Sequence, residues 1–183
     1  MQRLFTAEGP WPTPWLEPTL PVIQAIAGRH PERTVFTRFI PPEKPEDMPG
    51  MWQRYYRRWP EATRSELKPE LLELVPSLAR LAPPAVVMDK PVYSPFSGSH
   101  LPHHLAERGA DALIVTGAET DVCVLATVLG AVDHGFRVVL VTDAVCSSSD
   151  AGHHALFELF RTRFTEQVEV TNAETVLSAW QRH

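Results

Sequence analysis

The chain has 183 residues, is 44% hydrophobic and 21% charged, and carries a formal net charge of −5 with a pI of about 5.9. These values suit one domain over residues 1–183 with one sizeable core. With no long basic tract beyond the arginines between Arg54 and Arg64, they exclude nucleic acid as the expected partner. The apolar runs are strand-sized and too short for a membrane span, and the N-terminus lacks the pattern of a signal peptide. Two cysteines, Cys123 and Cys146, do not make a disulfide scaffold, so a cytoplasmic protein with free thiols is expected.

Gly9 to Pro14 reads as an extended, proline-fixed segment. Leu16 to Ala27 has helical spacing and stops at Gly28, and Thr34 to Ile40 reads as a strand closed by Pro41-Pro42. Residues 41–69 show no clear period and read as a long irregular insertion, a kind of loop that often carries function. The pattern then turns regular: a helix over Leu71 to Leu81 bent near Pro76, a strand over Ala85 to Met88, and a helix over His100 to Arg108. A strand over Asp111 to Thr116, a helix over Asp121 to His134, and a strand over Arg137 to Thr142 follow. A helix over Asp150 to Arg163, a strand over Gln167 to Val170 and a last helix from Asn172 through Trp180 complete the chain.

Strands alternating with helices predict an α/β fold: a parallel sheet in three layers with helices on both faces. The strands are continuous aliphatic runs, as burial on both faces requires. Ligands of such sheets sit beyond the carboxyl ends of the strands. That directs attention to Asp89-Lys90, to Gly117 through Cys123, and to Asp143 through Ser149. Cys123 falls about one turn into a helix, where the positive helix end favours a thiolate and backbone N–H groups can receive an oxyanion. Lys90 sits at the same sheet edge and can stabilise that thiolate. On position alone, Cys123 can equally be a small buried apolar residue.

The local sequence decides between these. Val115-Thr116-Gly117-Ala118-Glu119-Thr120-Asp121-Val122-Cys123-Val124 resembles the nucleophile motif of isochorismatase-like cysteine hydrolases. Asp89-Lys90-Pro91-Val92-Tyr93-Ser94-Pro95-Phe96 is similar to the lysine motif of the same family, and Gly135 through Ala144 with Ser147 to His153 resembles its next strand and helix. The likeness runs from Met1 to about Phe160. It implies a Rossmann-like three-layer fold and an enzyme with an Asp–Lys–Cys triad, in which Cys123 attacks an electrophilic carbon and Lys90 balances charge. It also implies a cis Ala118–Glu119 bond that aims the Glu119 and Cys123 amides at an oxyanion. The implied substrate is a small amide, a carbamoyl compound or an isochorismate-like molecule, and a homo-oligomer is expected.

Two departures stand against the family pattern. The family aspartate ends the first strand in the form Asp-Met-Gln-x-x-Phe, and this chain opens Met1-Gln2-Arg3-Leu4-Phe5, so the first central strand is expected to be missing along with the aspartate. The alternative function is therefore a non-catalytic family member acting as a subunit or binding module. Asp89 is a poor substitute, since adjacent strand residues point to opposite sides. Residues 41–69 hold no histidine, and His103-His104 and His153-His154 are adjacent helical pairs that diverge by about 100°, so no metal and no cofactor are expected.

Phe5, Trp52, Tyr93 and Phe96 are the candidate substrate-binding residues; the Trp52 to Trp59 stretch, with Tyr55 and Tyr56, can form a lid or simply pack. Arg54, Arg57 and Arg58 can receive a carboxylate or form a solvated helical face. Asp121 is expected to cap the nucleophile helix, Asp143 to hydrogen-bond across the sheet edge, and Cys146 to be an ordinary loop cysteine and not a second nucleophile.

Overall fold

Short runs of Val, Ile and Leu form five parallel strands in the computed structural model, which describes residues 1–180. β1 (Val35–Phe39) pairs with β2 (Val86–Lys90), Phe39 lying opposite Lys90. β3 (Ala112–Ala118), β4 (Arg137–Cys146) and β5 (Val168–Thr171) form a second parallel sheet in that order, with a register shift between Val115 and Gly117. β4 is the central strand of this sheet and is buried along most of its length. Val138 and Leu140 face one apolar cluster with α5 (Leu125–Asp133) and α6 (Asp150–Arg163), while Val139 and Val141 face the other with α1 (Leu16–Arg29) and α7 (Ala173–Ala179). This is the alternation that a strand covered on both faces imposes.

The sheet is not continuous. β1 and β3 do not pair, and a cleft of about 840 Å³ lies between them. Its walls are Arg33 to Thr37 with Phe39 on one side and Ala110 to Ala118 on the other; Ile23, Ile26 and Val176 line it from the helices. The interruption falls where the missing central strand was expected. At the carboxyl end of the cleft the side chain of Gln2 stands in for a strand partner: its amide donates to the Phe39 carbonyl at 3.0 Å and accepts from the Phe39 N–H at 2.7 Å.

Two sequence expectations are corrected. The helix expected over Leu71 to Leu81 is a 3-10 turn (Pro69–Leu72) and then a short α3 (Pro76–Ala79); Pro76 opens this helix at a position where the missing N–H costs nothing, instead of bending a longer one. Residues 41–69 are not wholly irregular, because Met51–Arg58 forms α2, which buries Tyr56 completely. α4 (Leu101–Glu107) lies where a helix was expected.

Candidate active site

β2 and β3 both run toward one end of the molecule, and each delivers one candidate residue there. Lys90 is the last residue of β2 and is only 3% exposed. Its ammonium donates to the carbonyls of Val92 at 3.2 Å and Tyr93 at 2.5 Å and lies 5.5 Å from the centre of the Phe39 ring. β3 ends at Ala118, and the Ala118–Glu119 peptide is cis, as the motif implied. The next residues do not enter an α-helix directly. Thr120–Val124 forms a π-helical turn, with the Val124 N–H reaching the Glu119 carbonyl at 3.0 Å, before α5 begins. π turns of this kind recur at functional sites. Cys123 lies in that turn, half-buried, and its thiol is a hydrogen-bonding neighbour of Lys90.

The electrostatics differ from the sequence expectation. Burial pushes the Cys123 thiol up; Lys90 pulls it down but does not win, and the Glu119 carboxylate adds to the rise. Burial likewise holds the Lys90 ammonium below the usual lysine range, against the opposing pull of Cys123. Removing charge from water on both partners outweighs their attraction.

An aromatic wall stands beside this pair. Trp52 lies 4.9 Å from Tyr93 and 5.5 Å from Tyr55, centroid to centroid, and Tyr55 meets Tyr56 edge-on at 5.2 Å. Burial first and neighbouring phenols next push Tyr55 and Tyr56 well up, and burial with Cys123 pushes Tyr93 up against the opposing hydrogen bond of Tyr55, so all three stay neutral. The Tyr56 hydroxyl is buried without a partner among the described residues. Phe5 is buried, borders the cleft and stacks on Trp11 at 6.3 Å. Trp11, which the proline-rich opening did not mark, joins Phe5 to Tyr55 and Phe39. Phe96 is not brought to this wall: it packs on His134 and Phe136 and would be met by any side chain at Gly130.

The remaining candidates are placed as follows. Asp121 does not cap the turn; its carboxylate accepts from the Ser147 hydroxyl at 2.5 Å. Asp89 points outward, held bidentately by the Nε and Nη2 groups of Arg38 at 2.7 and 3.0 Å, while Nη1 of Arg38 donates to Glu73 at 2.9 Å. Asp143 accepts from the Ala173 N–H at 2.8 Å and so ties β4 to the start of α7. Cys146 ends β4, buried, with its thiol pushed up to about 11 by burial. Arg57 makes an exposed ion pair with Glu46 at 3.5 Å, and the Arg58 guanidinium sits over the Trp59 ring. His103 pairs with Glu107, while His153 bonds Thr120; among the described residues no group of three His, Cys, Asp or Glu is placed to hold a metal. No described helix is long and apolar enough to cross a membrane.

Comparison with known proteins agrees with this geometry. The isochorismatase domain family matches residues 1–174. An uncharacterized isochorismatase family protein, PncA, of Bacillus subtilis is 37% identical over 86 residues, 47% of this chain and 47% of that protein. The maleamate amidohydrolase of Pseudomonas putida is 32% identical over 75 residues, 40% of this chain and 35% of that enzyme. The matched stretch thus spans about half or less of the curated relatives. Among solved structures, a cysteine hydrolase from Pseudomonas syringae superposes with a TM-score of 0.79 at 23% identity, covering 96% of this chain and 86% of that one, and shares the fold. The nicotinamidase PncA of Bacillus subtilis superposes with a TM-score of 0.71 at 27% identity, covering 92% and 94%. The family match over nearly the whole chain, with a cysteine and a lysine meeting at the carboxyl ends of parallel strands, places this protein in the isochorismatase family.

Proposed function

We propose that the protein is a cysteine hydrolase of small amides or carbamoyl compounds, with Cys123 as nucleophile and Lys90 as its charge partner. The observation that carries this reading is the meeting of Lys90 and Cys123 beside the cis Ala118–Glu119 turn. The maleamate and nicotinamide named in the relatives are both amides, which favours amide cleavage over an isochorismate-like substrate.

The Cys123 sulfur gives up its proton and forms a bond to the substrate carbonyl carbon. The carbonyl oxygen becomes an oxyanion, received by the Glu119 and Cys123 amides. Collapse breaks the C–N bond, and the leaving nitrogen takes the proton and departs as ammonia or an amine. Water then attacks the thioester, releasing the acid and restoring the thiol. Lys90 steadies the thiolate while it exists. The proton acceptor belongs at the carboxyl end of the cleft, where the family aspartate would arrive; no described carboxylate hydrogen-bonds Cys123 or Lys90. Trp52, Tyr55 and Tyr93, all neutral and mostly apolar, suit a flat uncharged acyl group, with Phe5 behind them through Trp11.

Intact-protein mass after incubation with a thiol-selective electrophile, on this chain and on Cys123→Ala, tests the nucleophile. Ammonia release from maleamate, nicotinamide and N-carbamoylsarcosine tests the reaction. Selective labelling at Cys123 with turnover of any of these amides is expected. Labelling of Cys123 and Cys146 alike, with no turnover, would leave the non-catalytic reading.

A further inference from the structure

We propose that the segment Ser147–His153, a short loop and the first turn of α6, is a clamp that sets the position of Cys123, with Asp121, Ser147 and His153 as positioning residues. This rests on the reading of Cys123 as the nucleophile. Three consecutive residues ahead of Cys123 each send a side chain to that segment. The Glu119 carboxylate accepts from the Ser148 N–H at 2.9 Å, the Thr120 hydroxyl bonds His153 Nδ1 at 2.9 Å, and the Asp121 carboxylate accepts from the Ser147 hydroxyl at 2.5 Å. Thr120 is 0% and Ser147 2% exposed, so two of these bonds are shielded from competing water.

The loop is itself braced. The Ser147 hydroxyl also accepts from the Ser149 N–H at 3.2 Å, and the Ser149 hydroxyl caps α6 by accepting from the Gly152 N–H at 3.0 Å. The hydrogen bonds therefore run without a break from the turn carrying Cys123 to the first turn of a fourteen-residue helix. Gly152 shows how closely the two parts are fitted. A Cβ there would lie 2.0 Å from Asp121 Oδ2 and 2.8 Å from its Cγ. Glycine at 152 lets the carboxylate lie against the positive end of α6, where a negative charge is favoured.

The clamp answers a local need. The turn holding Cys123 is π-helical, with the Val122 and Val124 N–H groups converging on the one Glu119 carbonyl instead of forming a regular α ladder. The Asp121 side chain bonds Ser147 and that of His153 bonds Thr120, and neither bonds Cys123. Their effect on the thiol must pass through the backbone. A released clamp would let the sulfur drift from Lys90, and the thiolate would lose its partner.

The test labels Cys123 with iodoacetamide across pH in the full chain and in Asp121→Ala, Ser147→Ala, Ser147→Thr and Gly152→Ala, with hydrogen exchange of the Thr120 to Val124 amides read in parallel. Asp121→Ala and Ser147→Ala are expected to slow labelling by about tenfold, to move its pH profile upward, and to speed exchange in the turn. Ser147→Thr keeps the hydroxyl and is expected to match the parent, while Gly152→Ala should resemble Asp121→Ala. Variants that melt at lower temperature yet keep the parent's labelling profile and turn exchange would overturn the proposal. Should Asp121→Ala fail to fold, Ser147→Ala, which removes one hydroxyl, decides alone. If Cys123 of the parent proves unreactive at every pH, the hydrolase reading fails, and the exchange data still judge the clamp.

Discussion

Lys90 and Cys123 meet although their strands belong to different sheets: Lys90 closes β2 at the far side of the cleft, and Cys123 follows β3 on the near side. Each acts on the other, and for each burial is the larger influence. A thiol held above its ordinary value is protonated at neutral pH and reacts faster as pH rises through its own pKa. Labelling of Cys123 is accordingly expected to climb with pH beyond the range of a free cysteine. Lys90→Met removes the one group that lowers the thiol, so its profile should move further up, with labelling at pH 8 slower by about tenfold or more. A profile indifferent to Lys90→Met would show that the lysine does not stabilise the thiolate.

Gln2 is buried to 2% exposure and makes three hydrogen bonds with its side-chain amide, two to the backbone of Phe39 and one, at 2.9 Å, to the Leu72 carbonyl. Gln2→Ala leaves the Phe39 N–H buried without its acceptor, so denaturant unfolding should show a loss of about 1–3 kcal/mol. Gln2→Glu is expected to be nearly as harmful, since a carboxylate can accept from Phe39 but cannot donate to either carbonyl. A loss below about 0.5 kcal/mol in both would mean that the β1 edge does not need this partner.

Tyr56 is fully buried, and its hydroxyl has no partner among the described residues. Removing only that oxygen relieves an unsatisfied group, so Tyr56→Phe is expected to leave stability unchanged or raise it by up to about 1 kcal/mol. Tyr56→Ala empties a large volume under α2 and should cost about 3–5 kcal/mol. Paired thermal melts of the two variants separate the ring's packing from its oxygen; a clear loss in Tyr56→Phe would reveal a hydrogen bond through water.

Much of this arrangement was legible in the sequence where one physical constraint dominates. β4 is readable over Val138 to Val141, where burial on both faces demands an aliphatic run, while its continuation through Asp143 to Cys146 is not; α6 is readable because Asp150 to Arg163 keeps one periodicity between Ser149 and Phe164. The cis Ala118–Glu119 bond and the pairing of Lys90 with Cys123 followed from motif likeness. α2 was hidden by its arginines, although Trp52, Tyr55, Tyr56 and Trp59 stand at i, i+3, i+4 and i+7, the spacing of one helical face. The helix end and the lysine that favour a thiolate are visible in sequence, while the depth of burial that opposes them is not. The partner of Asp121 was missed for a related reason: an Asp in a first turn reads as a cap, and only the fold brings Ser147 and Gly152 against it.

The cleft makes the last prediction. β1 and β3 run in the same direction with unpaired edges facing it, and β3 is seven residues long. At its carboxyl end Gln2 holds Phe39 of β1, and the Met1 sulfur lies 4.0 Å from where a Cβ on Gly117 of β3 would stand. An extended segment of about seven residues joined ahead of Met1 would therefore run down the cleft parallel to both strands and could bond to each. Adding a Val- and Ile-rich segment there should raise the melting temperature and slow amide exchange in β1 and β3. The same segment with alternate residues changed to proline should do neither, since proline cannot donate to a ladder. The pH dependence gives a second reading. Burial lowers the Met1 α-ammonium from 8.0 to about 6, so the unfolded chain binds that proton more readily than the folded one. Stability from this group is present above pH 8 and is lost as pH falls through about 6. With an amide in place of the ammonium, that slope should vanish from the melts of the extended chain. An extension that leaves exchange in β1 and β3 unchanged and the slope intact would show that the cleft does not seat a strand.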